Sequence, residues 1–243
     1  MRFLSLGDRA LTVEYASGFD PQARKAVIAL DEAIREAREA GSLSGILDVA
    51  PTFRSLTVHY DPLQINQASL KASLMDLARP SSSEREPNTT LWRLPVCYGG
   101  SFGPDLPDLV ADTGLSEADV IELHSSIEVS VHMLGFLPGF AFMGDIAEPL
   151  RKPRRQEPRL RVPPGSVAVA DRLTAIYPWE SPGGWHLIGA CPVPLFFAEE
   201  AKPTLFEPGD RVRFEPVTKS QFEGLKQQLN RAELSPQSFR KTK

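Results

Sequence analysis

The spacing of apolar residues predicts three strands in the first 78 residues. Residues 11–15 and 56–60 alternate apolar with polar side chains, and residues 46–50 form a third short run that is mostly apolar. Alternation of this kind is typical of a strand that buries one face and exposes the other. The start of the chain therefore contains the material for a small, half-buried sheet.

Two helices are predicted between and after these strands. Asp20 is a suitable N-cap and Pro21 suits the first helical position, a pair that favours a helix start, while Gly41 predicts the end of that helix. The apolar faces of the two helices consist of Val27, Leu30 and Ile34, and of Leu70, Leu74 and Leu77. The order indicates a ββαββα or split βαβ unit, with the helices on one side of the sheet.

The second half of the chain has a pattern typical of β-rich domains. Most of the 22 prolines of the whole chain fall after residue 80, and short apolar runs lie between proline and glycine turns. Strands are predicted at residues 91–98, 127–133, 166–170, 185–189 and 211–214, and short helices at residues 105–112 and 116–124. Many short strands separated by turns indicate a β-barrel or a sandwich.

Residues 79–90 are polar and bounded by prolines, which predicts a linker between two domains. We therefore expect an α+β protein with a small N-terminal α/β sandwich domain at residues 1–78 and a β-barrel domain at residues 91–218. Residues 219–243 predict a polar C-terminal tail that is partly helical and frayed at its end.

Two segments are apolar but too irregular for ordinary strands. Residues 133–144 are interrupted by Gly135, Pro138 and Gly139, which disfavour a regular helix, and a proline also removes a donor from a strand ladder. Residues 177–186 form a second punctuated segment. Together the two segments predict a shaped pocket or a docking surface. We interpret the segment at residues 133–144 as a structural loop near a subunit junction.

Composition and charge narrow the possible functions. The 243 residues are 42% hydrophobic and 24% charged, as in a soluble globular protein. A net charge of −4 and a pI near 5.7 give no electrostatic basis for binding nucleic acid or an anionic membrane. The N-terminus lacks the apolar core of a signal peptide, and no run approaches the roughly 18 residues that span a bilayer. We expect a cytoplasmic protein.

The familiar catalytic motifs are absent from the sequence. It contains no GxxxxGKS/T, GxGxxG, GxSxG or HExxH pattern. The four histidines lack the spacing of metal ligands, so we expect no metal site. Cys97 and Cys191 lie far apart and are expected to be reduced core thiols. By motif alone, the chain does not resemble a self-sufficient enzyme.

His124 and a group of arginines each have a functional and a structural interpretation. His124 lies at a predicted helix end, where it could carry protons or cap the helix dipole. The arginines are Arg151, Arg154, Arg155, Arg159 and Arg161. They form either a solvated loop or a clamp for an anion, because a guanidinium offers a rigid bidentate fork.

The aromatic and polar residues of the irregular segment at 177–186 also have two interpretations each. Tyr177, Trp179 and Trp185 flank a turn and fit either a core or an interface hot spot. Glu180 and Ser181 could act as a base and a polar anchor, but no neighbouring histidine or nucleophile motif supports a direct chemical role.

A series of ordered motifs resembles those of the B subunit of 5-oxoprolinase. They are LGDRA at 6–10, PVCYGG at 95–100, LGFLPGF at 134–140, PRR at 153–155, RVPPGSV at 161–167, IYP at 176–178, SPGGW at 181–185 and PGDRVRF at 208–214. That family includes KipI-type inhibitors of histidine kinases. It is also similar to the first-subunit region of allophanate hydrolase and to part of the urea carboxylase carboxyltransferase domain.

The resemblance implies an N-terminal α/β domain followed by a cyclophilin-like β-barrel. It also implies two partners, the cyclophilin-like C subunit and the A subunit, with which the complex would convert 5-oxo-L-proline to L-glutamate using ATP bound through the complex. The alternatives are a KipI-type inhibitor of a sensor histidine kinase and a component of another amide- or urea-processing hydrolase.

Site residues follow from the same resemblance. His124 is the candidate proton carrier. The candidate substrate-binding residues are Arg154, Arg161, Tyr177, Ser181, Gly183, Gly184 and Trp185. The sequence departs from the family pattern at residues 170–175, where Asp171 and Arg172 replace glycines and predict added bulk at a close backbone approach.

Overall fold

The computed structural model describes residues 1–79 and 89–241. The chain divides into two compact units, with the division between residues 88 and 89. The predicted linker at 79–90 lies mostly outside the described residues. Its described ends are residue 79 in unit 1 and residues 89 and 90 in unit 2.

Unit 1 contains an antiparallel four-stranded sheet and two helices. In chain order the elements are β1 (Arg2–Leu6), β2 (Ala10–Glu14), α1 (Pro21–Glu39), β3 (Ile46–Pro51), β4 (Ser55–Tyr60) and α2 (Gln67–Leu77). The strands are arranged β1-β2-β4-β3. The ββαββα order agrees with the prediction, but β1 has no sequence signal, because four of its five residues are exposed and show no alternation.

Helix α1 begins where the sequence predicts. The side chain of Asp20 accepts hydrogen bonds from the backbone N–H groups of Gln22 at 2.7 Å and Ala23 at 3.3 Å. These bonds satisfy donors that the first helical turn leaves free. The predicted apolar face is buried in one cluster with Leu56 and Val58 of β4. Capping and burial together explain why this segment is a helix.

Unit 2 is built around a closed sheet. Its elements are β5 (Leu91–Tyr98), α3 (Leu106–Thr113), α4 (Glu117–Ser125), β6 (Glu128–Leu134), β7 (Ala141–Gly144), β8 (Arg159–Val162), β9 (Ser166–Ala170), β10 (Leu173–Ile176), β11 (Ser181–Gly183), β12 (His186–Ala190), β13 (Arg211–Pro216), α5 (Lys219–Asn230) and β14 (Arg240–Lys241). Strands β12-β9-β10-β7-β6-β13-β5 form a ring that β5 closes by pairing with β12. The mixed α+β class and the barrel are as predicted, while the likeness to cyclophilin stays a prediction.

One wall of the barrel is buried on both faces. Along β9, Val167 and Val169 point into the barrel core, whereas Ala168 and Ala170 belong to a second cluster outside it. That outer cluster contains Phe140, Tyr177 and Trp185 and includes Val162 of β8. Strands β8 and β11 pair with each other as a separate two-stranded ribbon. The ribbon and the outer cluster hold most of the predicted site residues.

The C-terminal tail is more ordered than the sequence indicates. Its predicted helical part is α5, where Thr218 and Gln221 form a capping box and Phe222 is buried against Phe102. Residues 240 and 241 of the expected frayed end pair with β5 as β14, and the last two residues of that end lie outside the described residues. A pairing between segments about 150 residues apart leaves no local signal in a polar sequence.

Candidate functional site

Five of the predicted site residues come together beside the ribbon. Tyr177 and Trp185 are buried in the outer cluster, and the Arg154 guanidinium lies 5.9 Å from the centre of the Trp185 ring. The backbone carbonyl of Gly184 accepts a 2.7 Å bond from the N–H of Arg155. Burial raises the pKa of Tyr177, although the charges of Arg154 and Arg159 and a hydrogen bond to the Trp185 backbone lower it in part. The phenol therefore stays protonated at neutral pH.

Gly183, the fifth of these residues, is required by the position of the Tyr177 ring. A Cβ added at Gly183 would lie 2.4 Å from the phenol oxygen and 2.9 Å from two ring carbons. The ring cannot move easily, since Phe140 packs edge-on against it at 5.2 Å. The glycine is therefore explained by a close approach of the ribbon to a buried tyrosine.

Substituting Gly183 by alanine is expected to destabilise the protein by about 1–2 kcal/mol, the usual cost of overpacking a filled core. Gly184→Ala is the matched control, because its added Cβ would meet nothing closer than 3.7 Å. Urea denaturation of both variants measures the difference. Equal stability of the two variants would contradict the assignment of the clash.

Asp105 organises this region, and no pattern in the sequence points to it. Its Oδ1 accepts bonds from Arg155 at 3.1 Å and Arg159 at 2.6 Å, while Oδ2 accepts the backbone N–H of Leu187 at 2.6 Å. Its side chain is only 4% exposed. A buried carboxylate thus joins the arginine loop to β12. The sequence predicts Asp105 only as the start of a helix, and it makes no side-chain cap bond there.

The five arginines at residues 151–161 differ in the groups that they contact. Arg155 and Arg159 pair with Asp105, and Arg161 is exposed with its Nε 3.7 Å from Glu180. Arg151 donates to the carbonyl of Ile146 at 3.3 Å. All five arginines lie within the described residues, and among them only Arg154 has neither an acidic partner nor a hydrogen bond. Its guanidinium instead lies over the Trp185 ring. The contacts commit Arg155 and Arg159 to the fold, whereas an anion clamp formed by any of these arginines stays a prediction.

A groove runs along this loop. It has a volume of about 420 Å³ and is lined by Lys152, Pro153, Arg154, Arg155, Gln156, Glu157 and His186. His186 is 5% exposed and its Nε2 lies 2.8 Å from the carbonyl oxygen of Pro153. Because a carbonyl only accepts, Nε2 carries the proton. Nothing in the sequence marks His186 as a site residue, since it follows the SPGGW motif and has no ligand-like spacing.

Two further predicted residues lie at the ribbon but differ in exposure. Ser181 of β11 pairs with Val162 of β8 and is buried, and its Oγ has no hydrogen-bond partner among the described residues. Arg161 of β8 is exposed and faces Glu180. Substrate binding by either residue stays a prediction.

His124 lies in the barrel core, in contact with a different set of residues. Its Nδ1 is 2.7 Å from the Tyr98 hydroxyl and its Nε2 is 2.9 Å from Thr174 Oγ1. The Thr174 hydroxyl itself donates to the carbonyl of Ala168 at 3.0 Å, so Nε2–H donates to Thr174 and Nδ1 accepts from Tyr98. The ring also stacks on Phe214 at 4.5 Å.

Burial lowers the pKa of His124 to about 3. The imidazole is therefore neutral over the ordinary pH range, with both nitrogens occupied by hydrogen bonds. Its predicted role as a proton carrier stays a prediction, and the contacts of the chain by itself favour a structural role.

The irregular segment at 133–144 covers the end of β6, the β6–β7 connection and all of β7, so that part of it forms ordinary strands despite the prediction. Phe136 lies at the centre of a γ-turn closed by the Leu137 N–H and the Gly135 carbonyl at 2.9 Å, with φ of 70°. This conformation is costly for a non-glycine residue, yet the Phe136 side chain is 64% exposed. The indole N–H of Trp179, itself 47% exposed, donates to the Pro138 carbonyl at 3.0 Å. We call Phe136 and Trp179 the aromatic pair.

Asp171 and Arg172, which stand where the family has glycines, lie in the turn between β9 and β10. Asp171 adopts φ of 50° and is exposed in the β9–β10 turn, and Arg172 pairs with Asp145 at 2.6 Å. Aspartate tolerates this left-handed conformation better than most residues. The backbone does approach other segments here, because the Asp171 N–H donates to the Lys152 carbonyl at 2.6 Å and the Arg172 carbonyl accepts from the Ile146 N–H at 3.1 Å. The effect of the added bulk stays a prediction.

Within residues 1–79 and 89–241, no group of histidine, cysteine and acidic side chains could hold a metal ion. No helix in that part of the chain is long and apolar enough to cross a membrane.

The sequence matches a family model described as "Carboxyltransferase domain, subdomain C and D" over residues 1–206. It is also 34% identical to the 5-oxoprolinase B subunit of Bacillus subtilis over 235 residues, 93% of this chain and 96% of that protein. The chain belongs to the family of 5-oxoprolinase B subunits. Its similarity to the 5-oxoprolinase B subunit of Escherichia coli O157:H7 is 40% identity over 75% of this chain and 83% of that protein.

Solved structures extend the family relationship. The crystal structure of TTHA0988 is 36% identical, with a TM-score of 0.74 over 86% of this chain, but the match spans only 40% of that longer chain. PH0987 from Pyrococcus horikoshii, also 36% identical, is matched over its whole length with a TM-score of 0.54. Urea amidolyase of Kluyveromyces lactis, at 21% identity and a TM-score of 0.70, shares the fold.

Proposed function

We propose that this chain is the B subunit of an ATP-dependent 5-oxoprolinase, which acts with the A and C subunits to convert 5-oxo-L-proline to L-glutamate. The observation that carries the proposal is the alignment with a 5-oxoprolinase B subunit over 96% of that protein's length. In the reaction, water adds across the ring C–N bond, so that the lactam opens to an amine and a carboxylate. Hydrolysis of ATP, bound through the complex, drives it.

The chemistry of the chain is consistent with a site completed by other proteins of the complex. The groove and the ribbon supply arginine and histidine groups, while His124 is held neutral in the core. These groups can bind and orient a substrate. We therefore assign this chain a role in substrate binding and leave activation of the lactam by ATP to the partner subunits.

The experiment is co-expression with the neighbouring A and C subunits, followed by an assay of glutamate release from 5-oxo-L-proline with and without ATP. ATP-dependent release by the purified three-chain complex, and none by any chain alone, is the expected result. An assembled complex that releases no glutamate would refute the proposal.

The aromatic pair is our candidate for the contact with a partner subunit. Related segments belong to longer chains in TTHA0988, of which the match spans 40%, and in a putative urea carboxylase of Emericella nidulans, of which it spans 20%. In those proteins the related segment is joined covalently to the rest of the chain. A B subunit that acts with separate partner subunits needs a binding surface instead. Exposed aromatic residues are typical interface anchors, and strained backbone conformations such as that of Phe136 concentrate at functional sites.

Phe136→Gly is expected to have opposite effects on assembly and on stability. Glycine adopts φ near 70° without strain, so the isolated chain should keep or gain up to about 1 kcal/mol of stability. Assembly with the partner should weaken at least about tenfold, the effect of losing an interface anchor. Analytical ultracentrifugation and thermal unfolding measure the two quantities. Leu63→Ser, at a site 94% exposed in unit 1, is the control.

Assembly that is unaffected by Phe136→Gly would rule out the aromatic pair as the contact between subunits. The same pair could serve the second candidate function, inhibition of a sensor histidine kinase. Tight binding to a kinase dimerisation domain, together with an assembled complex that releases no glutamate, would favour that function over the first.

A further inference from the structure

The groove at residues 152–157 and His186 contains one cation that is not committed to the fold. Lys152 forms an ion pair with Asp112 of α3, and Arg155 forms one with Asp105. Arg154 is exposed, and among the described residues it has no acidic partner. Its guanidinium stays close to the Trp185 ring, a cation–π contact that restrains it while leaving its donors available. Arg154 is therefore the group of this groove that can bind an anion.

His186 supplies a complementary acceptor. Its Nε2–H donates to the Pro153 carbonyl, so Nδ1 of the neutral ring has a lone pair. That Nδ1 is buried and has no hydrogen-bond partner among the described residues. A buried polar atom without a partner costs free energy that a bound donor would recover. The groove is thus lined by an exposed cation and by a histidine whose Nδ1 lacks a partner among the described residues.

We infer that this groove binds a small carboxylate that carries an N–H donor beside it, with Arg154 holding the carboxylate and Nδ1 of His186 accepting the N–H. The inference rests on the proposed function in that 5-oxo-L-proline has this pair of groups. The residues and their roles are assigned from the contacts of the groove. A volume of about 420 Å³ is ample for a ligand of that size.

The charges favour a carboxylate over a phosphate. A single free guanidinium provides one bidentate fork, which matches the two oxygens of a carboxylate. Two of the three cations lining the groove already face an aspartate, and Glu157 lines it as well. A phosphate dianion would meet too little uncompensated positive charge to bind well.

A titration of the isolated chain tests the site without requiring turnover. L-5-oxoproline, its ring-oxygen lactone analogue and inorganic phosphate are added to ¹⁵N-labelled protein, and amide shifts at residues 152–157 and 185–187 are followed. We expect saturable shifts with L-5-oxoproline, at least tenfold weaker binding in Arg154→Gln, and wild-type binding in Arg231→Gln, a change at an exposed arginine beyond α5. The lactone should bind several-fold more weakly, because it lacks the N–H.

Three results would overturn the inference. The first is no shift with L-5-oxoproline up to about 10 mM, which is a weak-binding limit for a specific site. The second is equal affinity of wild type and Arg154→Gln, and the third is binding of phosphate in preference to the carboxylate. Equal affinity for L-5-oxoproline and its lactone analogue would show that Nδ1 of His186 does not accept the ligand N–H, and would also overturn the inference.

Kinetics of the assembled complex separate this inference from the proposed function. In an active complex, Arg154→Gln should raise KM for 5-oxo-L-proline about tenfold or more with kcat largely retained, and Arg154→Lys should give a smaller increase. An unchanged KM in an active complex would reject the groove while the function stands. A wild-type complex that releases no glutamate would reject the function, and the titration would still decide the groove.

Discussion

Asp105→Asn is expected to lower the midpoint of thermal unfolding by roughly 10 °C. The substitution keeps the shape of the side chain but removes the charge that faces Arg155 and Arg159, whose side chains are themselves about three-quarters buried. Breaking a buried ion pair by removing one partner costs about 3–5 kcal/mol, and partial exposure of the arginines reduces this to about 2–4 kcal/mol. For a unit of this size, each kcal/mol shifts the midpoint by about 2–4 °C.

Scanning calorimetry of the isolated chain measures this effect, and Asp108→Asn is the matched control. Asp108 is an exposed carboxylate in the first turn of α3, where its loss should cost less than about 1 kcal/mol. If Asp105→Asn unfolded at the wild-type temperature, the carboxylate would not be what holds the arginine loop to β12. The groove would then need another explanation for its shape.

Asp105 illustrates which part of the site could not be predicted from sequence. Its partners Arg155, Arg159 and Leu187 are 50, 54 and 82 residues away along the chain. Neither periodicity nor a motif indicates which of five neighbouring arginines will face it. Sequence chemistry identifies the arginines as anion binders or solvated cations, and only the fold determines which arginine takes which role.

Features that depend on neighbouring residues are predictable. The Asp20 cap, the Pro21 start and the buried face of α1 follow from a few residues of sequence, and all are confirmed. Strand β9 also follows from its short apolar run, but its burial on both faces depends on the aromatic cluster that the ribbon helps to form. The C-terminal strand β14 depends wholly on β5, so no local pattern predicts it.

Lowering the pH is expected to destabilise the protein through His124. In the unfolded chain a histidine takes up its proton near pH 6.5, whereas burial lowers the pKa of folded His124 to about 3. Between these values the unfolded state binds the extra proton, so the free energy of unfolding falls as the pH falls. The slope approaches about 1.4 kcal/mol per pH unit well below pH 6.5, which amounts to about 2 kcal/mol between pH 6.5 and 4.5.

The comparison with His124→Gln isolates this contribution. The variant loses the hydrogen bonds to Tyr98 and Thr174 and should be less stable at pH 7.5, but its deficit relative to wild type should shrink by about 2–3 kcal/mol at pH 4.5. Burial raises the pKa of Asp210, which acts in the opposite direction, but this effect is common to both proteins and cancels in the difference. Leu63→Ser, an exposed substitution that changes no titratable group, should keep the wild-type pH dependence.

Urea denaturation at several pH values gives the free energies, and ¹⁵N NMR of the imidazole gives the protonation state directly. We expect His124 to remain neutral, with the proton on Nε2, from pH 8 to pH 5. The hydrogen bonds account for this tautomer, because Thr174 donates its own proton to Ala168 and can only accept from the ring. A His124 that titrated near pH 6.5, with a deficit in His124→Gln that did not change with pH, would instead support a proton carrier that the core leaves accessible.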